Sequence, residues 1–481
     1  MPRNTGSNDL YLLIHSLTTE EKGYFKKFAS RHSNRQSKHL QLFDAISKQT
    51  EFEEAGLKKK FTGYADMKVY LFDMILKSLF LLESNNQSHA VTMLMGYAGI
   101  LNKKGMIGTA KKLLLQALEL ARKDDFFDRQ LLILSGLNMI QLRDVPIHKK
   151  WDFITERFKE ESAIIEQRTY VSAMLHEHAK LVFLHDAKAA GNAYAHLIKH
   201  INQKFIEGPA PGVSQRTARI RSEVLGMYYD LIDRHLKARQ VFYSNMKDLE
   251  KTYNRLKTET SLMQYARSII KYVATCLSSG HTSGVKALLI KLSKIDTGVA
   301  FLNSNFQFQC VNLMQQLALL EKKYEQGIAL TTALITKPGF AGLLSRFVPT
   351  GISVYQNLAL LQWHAKKYPA VYLTLQEIYG LNKNVKSKKL VADNLVLNMM
   401  VQIEMNNYEL LPSLIASAKR IALQKNSNKE FIAVVRLLSG FSKQSPHFKQ
   451  TTATVNTNYS IYGKLSFDEW QRQFARRKSD S

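Results

Sequence analysis

A short turn with the same residue pattern occurs three times in the second half of this chain. Its copies run from Glu321 to Tyr324, from Ala365 to Tyr368 and from Met405 to Tyr408, and each lies between two amphipathic helical runs. A unit of roughly 34 to 45 residues that repeats in this way cannot bury its apolar face alone, so neighbouring helix pairs must stack. The repeat therefore predicts an α-solenoid.

The composition agrees with a chain built only of helices. Apolar residues make up 45% and charged residues 22% of the 481 residues, which is typical of a folded protein. Only nine prolines occur, and none lies from Arg3 to Val145 or from Gly212 to Lys337, so long stretches contain nothing that breaks a helix. We expect an all-α fold.

One unit in the first half shows which kind of helix pair is repeated. Between Leu94 and Lys123, small residues stand at the positions Ala98, Gly105, Ala110 and Ala117. This spacing resembles a tetratricopeptide repeat (TPR), in which small residues let two antiparallel helices approach closely. The later turns keep an aromatic residue, but carry Gly327, Val371 and Leu411 where the family prefers alanine. The resemblance implies a right-handed superhelix of antiparallel helix hairpins, a TPR-like α-solenoid, and a protein that binds other proteins.

Changes in pattern along the chain predict three parts. Residues 1–85 read as an N-terminal helical segment, in which Thr18 and Glu21 form a capping box that starts a helix. Residues 86–440 are the repeat solenoid, with a helix-breaking stretch from Gly208 to Gly212. Residues 441–481 are an irregular linker followed by a C-terminal amphipathic helix.

The C-terminal helix presents a bulky apolar face. Trp470 and Phe474 share that face, above a basic face made of Arg472, Arg476, Arg477 and Lys478. Such a helix needs a host, which is the scaffold itself, a partner protein or an anionic membrane surface.

Positive charge is the feature that points most directly to a partner. The net charge is +27, and residues 336–481 contain 20 basic and 8 acidic residues, so the excess leans toward the C-terminal end. In a solenoid, equivalent positions of successive repeats line one face, which predicts a basic concave groove. The candidate partner-binding residues are Lys383, Lys386, Lys388, Lys389, Lys419, Arg420, Lys425 and Lys429. A field of this sign favours an acidic protein segment or a nucleic acid.

Cysteine usage and the absence of a membrane segment indicate a cellular compartment. Cys276 and Cys310 are the only cysteines, which excludes a disulfide framework and fits a reducing environment. Neither a signal-peptide pattern nor an apolar run of about 20 residues occurs. We therefore expect a cytoplasmic protein without a membrane span.

Two further patterns provide alternative hypotheses. His196 and His200 are four residues apart on a predicted helix, with His185 and Asp186 as conceivable further metal ligands. Residues 53–82 form a helix-turn-helix pattern with a lysine run at Lys58, Lys59 and Lys60, but the second helix is apolar on nearly every side, which favours burial over base reading.

No catalytic or cofactor-binding motif is evident. The phosphate-binding and dinucleotide-binding glycine patterns are absent, and Gly280 to Gly284 places Thr282 where a nucleophilic serine would stand. We expect a non-enzymatic interaction scaffold, without cofactor or metal, that binds an acidic or extended partner segment in a basic concave groove. The alternative is a nucleic-acid-associated regulatory protein that uses its basic surface.

Overall fold

The fold is all-α, as expected. The computed structural model describes residues 8–32, 38–82, 87–189, 195–208, 214–297, 300–336, 344, 348–385, 388–422, 429–441, 460–461 and 464–479. Two compact units divide the chain: unit 1 is Met1–Ala173 with Ala210–Ala218, and unit 2 is Met174–Pro209 with Arg219–Ser481. The three-part division at residues 85 and 440 stays a prediction.

The helices follow one another with short connections. Before residue 210 they are α1 (Asp9–Ser16), α2 (Thr19–His32), α3 (Lys38–Ser47), α4 (Glu54–Lys60), α5 (Tyr64–Leu82), α6 (Gln87–Lys103), α7 (Ile107–Lys123), α8 (Phe127–Asp144), α9 (Lys150–Ala189), α10 (Ala195–Ile198) and α11 (Gln203–Glu207). After it they are α12 (Gln215–Leu231), α13 (His235–Leu256), α14 (Glu259–Ser278), α15 (Val285–Ser293), α16 (Ala300–Leu320), α17 (Tyr324–Ile335), α18 (Val348–His364), α19 (Tyr368–Val385), α20 (Lys388–Glu404), α21 (Leu411–Ala422), α22 (Lys429–Phe441) and α23 (Phe467–Ser479). Short 3-10 turns precede α9 and α21, at Ile147–Lys149 and Tyr408–Leu410.

Helices α1 to α5 enclose a core of their own in unit 1. Phe25, Phe43 and Ile75 are fully buried in it. The predicted capping box is confirmed, because the Thr18 amide donates to Glu21 Oε2 at 2.6 Å and the Glu21 amide donates to Thr18 Oγ1 at 3.2 Å. These two bonds satisfy donors that the first turn of α2 would otherwise leave open.

The three repeated turns share one backbone conformation. Lys322, Lys366 and Asn406 all have positive φ, between 55° and 58°. In each turn the next amide donates to the carbonyl five residues earlier, with the pairs Lys323 to Ala318, Lys367 to Gln362 and Asn407 to Gln402 at 2.8 to 2.9 Å. This is the Schellman arrangement that ends a helix with a left-handed residue.

The same turn also occurs at four positions outside the three repeated turns. Asp125 and Asp233 have positive φ, and so do Gly105 and Gly280. The following amides donate five residues back in the same way, at 2.8 to 2.9 Å. Aspartate, glycine, lysine and asparagine can all occupy this left-handed position. The residue pattern therefore identified only some of these turns.

Helix α20 of unit 2 is buried nearly all round. In α20, the residues from Leu395 to Val401 are all buried, and the polar residues Asn398 and Gln402 lie among them. The C-terminal segment helps to cover α20: Ser460–Ile461 pairs antiparallel with Leu465–Ser466, and α23 follows directly. The stretch predicted to be irregular, at 442–459, lies outside the described residues.

Candidate functional site: a groove with a basic rim

The predicted basic residues lie at the ends of four consecutive helices. Lys419 and Arg420 are exposed in the last turn of α21, Lys429 is exposed at the start of α22, and Lys389 is half-buried in the first turn of α20. Lys383 and Lys388 belong to α19 and α20, although their side chains are not described. Lys386 and Lys425 lie outside the described residues.

Helix direction brings these ends together. Helices α19 to α22 pack as consecutive neighbours, joined by short connections. Because such neighbours run antiparallel, the end of α19, the start of α20, the end of α21 and the start of α22 meet on one side. The repeated turns at Lys366 and Asn406 lie at the opposite ends of the same helices. The basic positions therefore collect at one end of the hairpins.

A groove with a volume of about 670 Å³ opens between α19, α20 and α21. It is lined by aliphatic, aromatic and polar side chains: Tyr372, Gln376, Tyr379, Val391, Leu395, Asn398, Leu410, Ser413, Leu414, Ser417, Arg420 and Ile421. Of the described residues, Arg420 is the only charged one in this lining. Its Nη2 donates to Ser417 Oγ at 3.0 Å, within its own helix, so the rest of its guanidinium donors can serve a ligand.

Tyr379, which lines the groove, carries a buried hydroxyl group. Its hydroxyl oxygen is inaccessible to solvent and has no hydrogen-bond partner among the described residues. Burial raises the pKa of Tyr379 to about 12, so the hydroxyl stays protonated and keeps its donor. Because this oxygen is inaccessible, Tyr379 offers its ring and not its hydroxyl to a ligand in the groove.

Sequence reasoning found only one member of this groove, Arg420. Tyr372 and Tyr379 are seven residues apart on α19, two helical turns, so they share a face. That spacing can be read from the sequence. The residues of α20 and α21 that complete the groove cannot, because their approach depends on how three helices pack.

The C-terminal segment docks on the chain itself. Ile461, Leu465, Phe467 and Trp470 are buried in the same core cluster as α18 and α20. Trp470 Nε1 donates to Glu404 Oε1 at 2.8 Å, at the end of α20. Of the three hosts open at the sequence level, the structure shows the scaffold.

The described residues show no arrangement that matches the hypothesis of a histidine metal site. His185 Nε2 lies 3.1 Å from the Met227 carbonyl oxygen, within a hydrogen bond. In the parts of the chain that the structure describes, no group of three His, Cys, Asp or Glu side chains is arranged to hold a metal ion. The side chains of Asp186 and His196 are not among them.

The second helix of the predicted helix-turn-helix is α5, which packs into the N-terminal core. In α5, Leu71, Met74 and Ile75 are buried against the N-terminal core, whereas Tyr70 and Phe80 are exposed. The exposed positions mix apolar side chains such as Leu76 with the charged Asp66 and Lys77, and do not form the row of polar side chains that reads base edges.

No family model matches this chain, and no solved structure matches it. Within the described ranges, every helix is too short or too polar to cross a bilayer. The class defined by the structure is an all-α protein of packed helix hairpins.

Proposed function

We propose that this chain is a non-enzymatic, cytoplasmic interaction scaffold, and that the groove between α19, α20 and α21 binds a short segment of a partner protein. The observation that carries the proposal is the combination in one groove of aliphatic side chains, the rings of Tyr372 and Tyr379, and one exposed cation, Arg420. We further propose that the hairpins stack as a TPR-like right-handed superhelix, since seven turns of one type are spaced along them.

The chemistry of the groove defines the segment. Leu395, Leu414 and Ile421 accept an apolar side chain, and Arg420 pairs with a carboxylate. The ligand is therefore an extended segment with an aliphatic or aromatic residue next to an acidic one. The exposed Lys419 and Lys429 beside the rim extend the attraction to acidic flanks.

A nucleic acid fits the groove less well than a peptide does. A phosphate backbone is held by a row of cations, but among the described residues Arg420 is the only cation that lines the groove. The nucleic-acid alternative therefore rests on the net charge of the chain and not on this groove.

A peptide-display selection tests the proposal. A library of random 12-residue peptides is selected against the full chain, and the affinity of the enriched peptides is then measured by fluorescence anisotropy. We expect peptides that combine apolar and acidic residues, with affinity reduced at least about tenfold by Arg420→Glu, the size expected for a lost charge-assisted bond.

Lys322→Glu is the matched control, because it makes the same change of net charge at an exposed site in a different turn. Tyr379→Phe removes the hydroxyl and keeps the aromatic ring, so it measures the effect of the hydroxyl separately from that of the ring. Equal weakening by Arg420→Glu and Lys322→Glu, together with tight salt-dependent binding of a single-stranded oligonucleotide, would show nonspecific polyanion binding and overturn the proposal.

A further inference from the structure

In unit 1, helix α8 and the part of α9 before residue 174 leave large apolar side chains in water. Trp151 is 78% exposed, Phe158 70%, Met139 71% and Leu132 63%, and Ile154 and Ile165 are about half exposed. Isolated exposed apolar residues are ordinary, but a contiguous group of this size marks a contact surface.

The two helices run antiparallel and are joined by polar contacts. Asn138 Nδ2 donates to Glu161 Oε1 at 2.8 Å, Arg157 Nη2 donates to Gln141 Oε1 at 2.8 Å, and Arg168 pairs with Asp128. As the residue number rises along α8, the number of its partner falls along α9. This pairing fixes which face of each helix meets the other.

The exposed apolar residues lie on one side of this helix pair. Counting 100° per residue, Leu132 and Met139 lie about a quarter turn beyond the α8 positions that contact α9. Trp151, Phe158 and Ile165 are displaced in the same rotational sense from the α9 positions that contact α8. In antiparallel helices, equal displacement in the same sense leads to the same side. We call this six-residue surface the α8–α9 face.

The α8–α9 face has the area of a stable interface. Six side chains of these sizes and exposures leave on the order of 800 Å² of apolar surface uncovered. One partner in a standard protein interface contributes about 800 Å².

The residue spacing and the local charge of the α8–α9 face indicate which molecule covers it. Trp151, Phe158 and Ile165 are seven residues apart, so the row is symmetrical about Phe158, as a twofold contact between identical surfaces requires. From Lys150 to Arg168 the helix contains four basic and five acidic residues, a net charge of −1, although the whole chain carries +27. A polyanion finds no attraction here, and a second copy of the chain meets no local repulsion.

We propose that the α8–α9 face is a homodimer interface, in which α9 packs antiparallel against α9 of a second copy across a twofold axis at Phe158. In this pairing Trp151 faces Ile165 of the other copy, and the apolar row is excluded from water.

Sedimentation of the full chain over a concentration series tests the dimer. We expect a species of twice the 55.0 kDa chain mass. Phe158→Glu raises its dissociation constant by at least about 100-fold, as expected for a central hot spot. Leu236→Glu, which changes a residue that is 62% exposed at the start of α13, is the matched control and leaves the dimer intact. A monomer throughout, or a dimer unaffected by Phe158→Glu, overturns the proposal.

Cross-linking decides the outcome if Phe158→Glu does not fold. Cys276 and Cys310 are buried, so their background reaction is low. Phe158→Cys places two thiols across the twofold axis and gives a cross-linked dimer with a short bismaleimide, whereas Leu236→Cys does not. A mixture of Trp151→Cys and Ile165→Cys chains cross-links between the two variants, whereas neither variant cross-links with itself. Cross-linking of either variant with itself overturns the antiparallel pairing.

Discussion

The ammonium group of Lys464 donates a hydrogen bond to Oδ1 of Asn357 at 2.6 Å, although 107 residues separate them in sequence. Asn357 is 2% exposed, and its Nδ2 donates to Oδ1 of Asn312 at 2.6 Å. Lys464 as a whole residue is exposed, but its ammonium group contacts the buried Asn357 of α18. Burial lowers the pKa of Lys464 to about 8. The C-terminal segment is thus anchored through a group that ionises near neutral pH.

The lowered pKa of Lys464 predicts how docking responds to pH. Between pH 8 and 10.5 the folded chain has lost this proton while the unfolded chain keeps it, so this contribution to stability rises with pH across that window. Lys464→Met removes the contribution. We expect the stability of the wild-type chain relative to Lys464→Met to increase from pH 8 to pH 10.5, measured by urea unfolding. The exposed Lys419→Met is the control, and an equal pH response there would contradict the assignment.

Trp470 is predicted to anchor α23 by packing and by its indole N–H. Trp470→Ala should cost about 3–5 kcal/mol, as for truncation of a buried aromatic residue. Trp470→Phe keeps most of the packing but removes the hydrogen bond to Glu404, and should cost about 1–3 kcal/mol. Denaturant unfolding followed by circular dichroism measures both. Tyr97→Ala, on an exposed side chain, is the control, and an effect as large as that of Trp470→Ala would argue against a specific anchor.

Glu250 is predicted to make the chain sensitive to acid. A hydrogen bond from Lys291, followed by bonds from Lys247 and Tyr265, lowers the pKa of Glu250 to about 2, against the opposing effect of burial. Its stabilising contribution is complete above pH 4.5 and is lost as the pH falls toward 2. Glu250→Gln should cost about 1–3 kcal/mol at pH 7 and nothing near pH 2. Thermal unfolding at both pH values tests this, with the exposed Asp248→Asn as the control. An equal cost at both would contradict it.

Two helical glycines are predicted to respond oppositely to alanine. A Cβ on Gly226 would lie 2.6 Å from the Phe242 ring, which is itself buried, so Gly226→Ala should destabilise by about 1–3 kcal/mol. Gly380 has nothing within 4 Å, and Gly380→Ala should stabilise by about 0.5–1 kcal/mol through the unfolded chain. Chemical denaturation measures both. Stabilisation by Gly226→Ala would show that α12 and α13 are not in such close contact.

The repeated turn is predicted to tolerate, and to prefer, glycine. Lys322 and Lys366 adopt positive φ, which costs an L-residue about 1–2 kcal/mol. Lys322→Gly and Lys366→Gly should each stabilise by about 1 kcal/mol. Lys323→Gly, one residue later and without positive φ, is the control and should not stabilise. Differential scanning calorimetry reports the shifts.

Local features of this protein were predictable from its sequence. The capping box at Thr18 and the turns at Lys322, Lys366 and Asn406 depend on a few neighbouring residues, so the pattern carried them. The turns at Asp125 and Asp233 escaped because several residue types can occupy a left-handed helix end.

The candidate groove was predictable only in part. Arg420 belonged to the predicted basic set, and the structure places it on the rim. Tyr379, Asn398 and Leu414 were not found, because a groove forms where three helices fail to fill the space between them, and no single helix encodes that gap.

The sequence by itself determined the helices, their turns and the excess of positive charge, since hydrophobic periodicity, capping and composition act over a few residues. Tertiary structure decided which faces are buried. It brought Lys464 to Asn357, seated Trp470 against Glu404, and left Phe158 in water. The physical reason is that burial belongs to pairs of surfaces: an apolar stripe shows that a face needs a partner, but only packing across long sequence separations selects the partner.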